Sequence, residues 1–312
     1  MSTKSVEILQ TGKLLASCEQ ALAERYTVHK LHEQADKAAW LHDNGARIRA
    51  IAGSKVPSDL LEALPNLEII AGFGVGYDNI DIKAAKAANV RVTNTPDVLN
   101  DAVAELTIGL LIALARRIPQ ADQHVRQGLW PKGAMPLASE LTGKTIGIFG
   151  LGRIGKEIAT RAQAMKMRVV YCGRNRQPTV PYVYYDNLAD MARDSDYLAL
   201  IAPGGKATDG IVSREVLEAL GPKGRLVNIA RGSLVDQQAL LELLQSGGLG
   251  GAALDVFADE PHVPEAFFAR DNVVLSPHHG SATVQTRDAM GALLVANLDA
   301  HFAGEPLISA VV

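Results

Sequence analysis

The sequence predicts an α/β protein built on two doubly wound parallel sheets. Three observations carry this expectation. The chain has 312 residues, about two domains at roughly 150 residues each. Short apolar runs alternate with helical patterns along it, as in a sheet whose crossover helices cover both faces. One apolar run ends in a glycine-rich turn that opens a helix, at Gly150-Leu151-Gly152-Arg153-Ile154-Gly155.

From about Val6 to Pro96, Leu67–Ala71 and Val90–Val92 read as strands, and Ser58–Leu64 and Asp81–Ala88 as helices. Pro57 stands just ahead of a helix, where its missing N–H costs nothing. The middle stretch runs from about Asp97 to Thr283. It opens with Ala102–Ala115, apolar on nearly all sides, the pattern of a helix buried in a domain or at an interface. Gly128–Thr142, with Pro131, Gly133 and Pro136, reads as a loop. Strands are expected at Thr145–Phe149, Arg168–Cys172, Tyr197–Leu200, Arg225–Asn228, Gly251–Leu254 and Asn272–Leu275. Helices are expected at Ile154–Met165, Ser213–Ala219 and Asp236–Gln245, the last stopped by Gly247-Gly248. The larger sheet should hold five or so parallel strands, with a smaller sheet before it. A last helix, Val284–Ala303, is stopped by Gly304, and its Ala-rich face should pack on structure already built.

Composition narrows the function classes. Lys plus Arg is 31 and Asp plus Glu is 34, a net charge of −3. No broad basic balance is present to hold a phosphate backbone, so nucleic acid is not an expected partner. The two cysteines, Cys18 and Cys172, make neither a disulfide framework nor a zinc site, and no metal is expected. The longest apolar run, around Leu106–Ala115, is too short to span a membrane. Met1–Gln10 has no apolar signal core. A cytoplasmic protein is expected.

The glycine turn is the sharpest local signal. Gly-x-Gly-x-x-Gly between a strand and a helix marks the Rossmann type of dinucleotide site: Gly150 for the tight turn, Gly152 for approach of a pyrophosphate, Gly155 for close helix packing. The helix N-terminus then offers unpaired N–H groups to the phosphates. The next strand ends in Cys172-Gly173-Arg174-Asn175-Arg176, with no acidic residue. An acid there would bind a ribose 2′-hydroxyl, whereas arginine pairs with a 2′-phosphate. Arg174 and Arg176 therefore predict NADP(H), with NAD(H) as the weaker alternative.

Hydride transfer also needs a proton donor and a grip on the substrate. Arg231, Glu260 and His278 each lie just past a strand candidate, where an open parallel sheet binds ligands. His278 suits proton donation to a carbonyl oxygen, and reduction should fall as it deprotonates. Glu260 suits orienting the imidazole, and Arg231 suits clamping a carboxylate and polarising the neighbouring carbonyl.

At these residues the chain resembles the D-isomer-specific 2-hydroxy acid dehydrogenases. The likeness runs through Gly74-Val75-Gly76-Tyr77-Asp78-Asn79-Ile80-Asp81, Val92-Thr93-Asn94-Thr95-Pro96, Ala104-Glu105-Leu106, the glycine turn, Ala230-Arg231-Gly232, Leu254-Asp255-Val256-Phe257, Asp259-Glu260-Pro261 and Pro277-His278-His279-Gly280-Ser281-Ala282-Thr283. Within the family, Phe73-Gly74-Val75-Gly76, Tyr171-Cys172-Gly173-Arg174, Ala219-Leu220-Gly221-Pro222-Lys223-Gly224 and Gly304-Glu305-Pro306-Leu307 are most similar to hydroxypyruvate, glyoxylate and hydroxyphenylpyruvate reductases.

The resemblance implies a substrate domain, flavodoxin-like, at 1–97 plus 285–312, and a dinucleotide-binding domain at 98–284. It implies Arg231, Glu260 and His278 as the catalytic set. The N–H groups of Val75 and Gly76 would take the substrate carboxylate, and Asp255 the nicotinamide carboxamide. Thr107, Arg153, Ile154, Pro203, Ile229 and Gly280 fall where members touch the cofactor, and His278 lies beside it. His279 stands where many members carry an aliphatic residue. A homodimer is implied, through the Ala102–Ala115 helix and the Gly128–Thr142 loop, with Trp130 reaching the partner's site.

The expected reaction is NADPH-dependent reduction of glyoxylate or hydroxypyruvate to the D-2-hydroxy acid. Alternatives are a bulkier 2-oxo acid, such as hydroxyphenylpyruvate or 2-ketogluconate, and phosphite oxidation, which uses the same triad. A non-enzymatic dinucleotide-sensing protein stands last. Formate dehydrogenases carry Gln at the position of Glu260, and phosphoglycerate dehydrogenases often carry an extra regulatory domain for which this chain leaves no room.

Overall fold

The computed structural model describes residues 5–312. The first four, which the leader reading and the first domain range include, lie outside it. The chain divides into two compact units, one of residues through Leu99 with Ser281–Val312, the other Asn100–Gly280.

The first unit runs β1 (Glu7–Gln10), α1 (Ala16–Arg25), β2 (Thr27–Lys30), α2 (Lys37–Asn44), β3 (Ile48–Ala52), α3 (Ser58–Glu62), β4 (Ile69–Ala71), α4 (Ile82–Ala87) and β5 (Arg91–Thr93). Its sheet order is β2-β1-β3-β4-β5, all parallel, which is the flavodoxin-like order. Leu9, Ile51 and Ile70 point into one core; Ile8, Ala50 and Ile69 point into the other. That alternation along β1, β3 and β4 is what a sheet covered on both faces requires. Asp81 caps α4 through a bond from Ala84 N, 2.9 Å. The closing helix α11 (Val284–Ala303) starts at a Thr283 cap and packs on α1 and β4. Gly304 ends it in the left-handed region, at φ +74°, where glycine carries no Cβ penalty.

The second unit opens with α5 (Asn100–Arg116) and α6 (Ile118–Arg126). It continues as β6 (Thr145–Phe149), α7 (Arg153–Ala164), β7 (Arg168–Cys172), β8 (Val183–Tyr185), α8 (Leu188–Arg193), β9 (Tyr197–Leu200), α9 (Arg214–Leu220), β10 (Arg225–Asn228), α10 (Gln237–Ser246), β11 (Gly251–Leu254) and β12 (Val273–Leu275). The order is β12-β11-β10-β9-β6-β7-β8, all parallel. It is the Rossmann order with one further strand.

Seven strands form this sheet where five or so were expected. The extra edge strand β8 is short, tyrosine-rich and partly exposed, so it shows no continuous apolar run. Helix α6 was also not foreseen; it is polar and starts with a proline in its first turn. Helix α5 buries one side, including Val103, Thr107, Leu110, Leu111 and Leu114, while Asp101, Glu105 and Gly109 face outward. Between them on the outer side lie Ile108, Ile112 and Ala113, half-buried.

Candidate active site

The direction of strand order in the second unit reverses between β6 and β9, which is where an open parallel sheet leaves a crevice. The glycine turn sits there, directly after β6. Gly150 has φ +103°, and a Cβ on it would lie 2.7 Å from Ala202 N, so no other residue fits. A Cβ on Gly155 would strike the carbonyl of Gly150, which is the close helix approach the motif exists to allow. Gly152 is exposed and faces open space. It forms the N-cap of α7 and brings no side-chain cap, so a pyrophosphate can approach the helix N-terminus closely.

The segment carrying the two arginines is tied to this turn. Gln177 Nε2 donates to Leu151 O at 2.6 Å, and Gln177 N donates to Tyr171 Oη at 2.7 Å. Arg174 and Arg176, three and one residues earlier, are exposed. Neither has an acidic partner among the described residues. A helix N-terminus without a side-chain cap, and two cations at the end of the second strand, fit a dinucleotide with a 2′-phosphate.

Arg231, Asp255 and His278 follow the carboxyl ends of adjacent strands β10, β11 and β12. His278 Nδ1 lies 2.6 Å from Glu260 Oε2, and Glu260 Oε1 accepts from Phe257 N at 3.0 Å. The carboxylate thus requires the proton on Nδ1, and Nε2 is turned away from it. Half of the His278 side chain is exposed. Its backbone is left-handed, φ +52°, a conformation that costs a non-glycine residue about 1 kcal/mol or more.

Asp255 holds that conformation. It is almost fully buried, and its carboxylate accepts from Ser276 Oγ (2.5 Å), His279 N (2.7 Å) and Gly280 N (3.0 Å). His278 N donates to Asp255 O at 2.7 Å. Asn228 does the same for the arginine loop: its Nδ2 donates to Arg231 O at 2.8 Å, and its Oδ1 accepts from Ala230 N at 3.1 Å. Gly232 packs directly on the Phe257 backbone, which joins the Arg231 loop to the segment that Glu260 braces. Asn228 and Ser276 were missed by sequence reasoning, because isolated polar residues at strand ends carry no spacing pattern.

Of the other expected residues, Ile229 and Gly280 are buried beside Asp255, while Arg153 and Pro203 are exposed. Ile154 is half-buried in the first turn of α7. Thr107 is fully buried, and its hydroxyl donates to Val103 O at 2.7 Å. Val75 and Gly76 belong to the first unit. There Thr95 N donates to Gly74 O (2.8 Å) and Asn94 Nδ2 to Val75 O (3.0 Å). The carbonyls of this loop are tied back, while the N–H groups of Val75 and Gly76 have no acceptor among the described residues.

Comparison with known proteins identifies the family. Residues 108–280 match the model of the D-isomer specific 2-hydroxyacid dehydrogenase, NAD binding domain. The chain belongs to that family. It is 45% identical over 312 residues to glyoxylate/hydroxypyruvate reductase A of Arabidopsis thaliana, covering 99% of this chain and 100% of that one. It is 44% identical, with the same coverage, to the hydroxyphenylpyruvate reductase of Plectranthus scutellarioides. Among solved structures, the NADPH-dependent glyoxylate/hydroxypyruvate reductase SmGhrB of Sinorhizobium meliloti, in complex with NADP and malonate, superposes with a TM-score of 0.94. It is 44% identical and is covered over 97% of its length by 98% of this chain. This dehydrogenase is thus an NAD(P)-dependent oxidoreductase. No helix among its described residues is long and apolar enough to cross a membrane.

Proposed function

We propose that this chain reduces glyoxylate to glycolate, and hydroxypyruvate to the D-2-hydroxy acid, with NADPH. The observation that carries the reading is the His278–Glu260 pair at 2.6 Å, on the same unit as the glycine turn. When bound, the cofactor would supply the hydride that the carbonyl carbon accepts. His278, doubly protonated, donates its Nε2 proton to the carbonyl oxygen while Glu260 holds Nδ1–H. Arg231 pairs with the substrate carboxylate and polarises the carbonyl beside it. The N–H groups of Val75 and Gly76 hold the same carboxylate. Asp255 and Asn228 are positioning residues; with its carboxylate committed to the His278 loop, Asp255 keeps a spare lone pair for a carboxamide. Arg174 and Arg176 take the 2′-phosphate, and Gly150 to Gly155, with Arg153 and Ile154, cradle the pyrophosphate.

The unit of residues 100–280 is the cofactor domain in this reading, and the other is the substrate domain. The chain acts as a homodimer in the cytoplasm. Ile118, Val125, Trp130 and Leu137 are exposed in the segment that follows α5, large apolar side chains of the kind an interface covers. Both cysteines are free and buried, consistent with a reducing compartment.

The test is oxidation of NADPH and NADH, followed by absorbance, with glyoxylate, hydroxypyruvate, pyruvate, hydroxyphenylpyruvate and 2-ketogluconate in parallel. Faster turnover of the first two with NADPH is expected. A clear preference for hydroxyphenylpyruvate or 2-ketogluconate would replace the substrate assignment. Turnover with NADH alone would overturn the role of Arg174, and none at all would overturn the reading.

A further inference from the structure

A cavity of about 450 Å³ lies wholly within the first unit. Lys13 and Leu14 from the β1–α1 loop, Phe73 after β4, and Thr283, Val284 and Arg287 at the start of α11 line it. Its two charged residues are both cations, and no carboxylate lines it. The Arg287 guanidinium stacks over the Phe73 ring, 5.4 Å from its centroid. None of its N–H groups has an acceptor among the described residues. Burial pushes its pKa below the ordinary arginine value. A half-buried guanidinium without an anion bears a desolvation cost that a ligand would relieve.

The cavity is built rather than incidental. Ser54 Oγ accepts from Phe73 N at 2.7 Å, which fixes the backbone under the ring. Glu19 holds the backbone of Leu14, another lining residue, accepting from Leu14 N (3.3 Å), Lys30 Nζ (2.6 Å) and Gln10 Nε2 (2.7 Å). Phe73 is two residues before Val75, a span of at most about 7 Å of chain. The cations and the free N–H groups therefore flank one short loop.

We propose that Arg287 and Lys13 form a subsite for an anionic group at the far end of the substrate. The enzyme then takes 2-oxo acids that carry a second carboxylate or a phosphate, besides small uncharged-tail ones. This rests on the carboxylate-binding role given above to Val75 and Gly76.

The test measures kcat/KM with NADPH for 2-oxoglutarate, oxaloacetate, phosphohydroxypyruvate and glyoxylate, in the native enzyme and in Arg287→Gln, Arg287→Lys and Lys13→Gln. The ratio of each dianion to glyoxylate cancels any loss common to both. Arg287→Gln should lower that ratio roughly ten- to a hundredfold, the scale of a hydrogen bond to a charged group. Arg287→Lys should restore part of it, and Lys13→Gln, at an exposed side chain, should lower it less. A fall confined to the carboxylates or to the phosphate identifies which anion the subsite takes. Titration calorimetry with succinate gives a readout without turnover: its Kd should rise by a similar factor in Arg287→Gln. Unchanged ratios and an unchanged succinate Kd, with glyoxylate still reduced, would overturn the subsite alone. Arg287-dependent succinate binding with no turnover of any 2-oxo acid would overturn the reductase reading and leave the subsite standing.

Discussion

His278 and Glu260 are joined by a 2.6 Å hydrogen bond between segments eighteen residues apart, with His278 held in a left-handed backbone conformation. The bond leaves only Nε2 for chemistry. His278→Ala should lower kcat by about 10²- to 10⁴-fold, the range for loss of a general acid. Glu260→Gln keeps a hydrogen-bonding group but loses the charge, and should fall between that variant and the native enzyme. Steady-state NADPH oxidation with glyoxylate measures both. Full activity in His278→Ala would remove the proton-donor role.

The proposed cofactor preference rests on Arg174. Gln177 ties its segment to the glycine turn, so the guanidinium has a fixed base. Arg174→Asp should raise the KM for NADPH roughly ten- to a hundredfold, as expected for one charge-assisted bond. The KM for NADH should stay level or fall, because the new carboxylate accepts from a 2′-hydroxyl. Parallel saturation curves for the two cofactors check this. Equal changes for both would indicate damage to the turn instead.

Glu19 links the pH of the solution to the wall of the Arg287 cavity. Burial pushes its pKa up, but hydrogen bonds from Lys30, Gln10 and Leu14 N outweigh that and hold it below the usual carboxylate range. A depressed folded-state pKa adds stability above the unfolded value, about 4.3, and that contribution is lost as pH falls through the folded value. Glu19→Gln should therefore lower Tm at pH 7, and the gap to the native protein should close as the solution is acidified. Thermal unfolding between pH 7 and pH 3 tests the sign. A gap that widens on acidification would contradict it.

The oligomer prediction rests on the exposed apolar side chains that follow α5. Ile118→Asp with Val125→Asp places charge on residues already in solvent, so folding should survive. Analytical ultracentrifugation should show a dimer for the native protein and a monomer for the double variant, with Tm little changed. A native monomer, or a dimer that tolerates both charges, would sink the interface.

Legibility in the sequence followed burial. Strands β6, β9 and β11 are covered on both faces, so each is a continuous apolar run and was read to the residue. Strand β2 is a partly exposed edge strand, Thr-Val-His-Lys, with no alternation to detect. The catalytic candidates were readable because strand-end motifs fix their neighbours. Asn228, Ser276 and Arg287 were not, since their importance comes from contacts with residues distant in the chain.

Gly291 sets helix propensity against packing. It lies inside α11, where alanine is favoured over glycine by about 1 kcal/mol. A Cβ there, however, would lie 2.8 Å from Cys18 Cβ and 3.1 Å from its Sγ, across the contact between α1 and α11. Turning the thiol away does not move the Cys18 Cβ, which is fixed to its backbone, so the helices themselves must separate. Overpacking of this kind costs about 1–3 kcal/mol, enough to outweigh the propensity gain. Gly291→Ala should therefore lower Tm. Cys18 offers a second readout: burial, and then the charge of Glu19, push its thiol up to about 11, so it should resist iodoacetamide at pH 8 in the native protein. Faster alkylation in Gly291→Ala would report the separated helices. A raised Tm with Cys18 still inert would mean that α11 shifts without cost and that propensity decides.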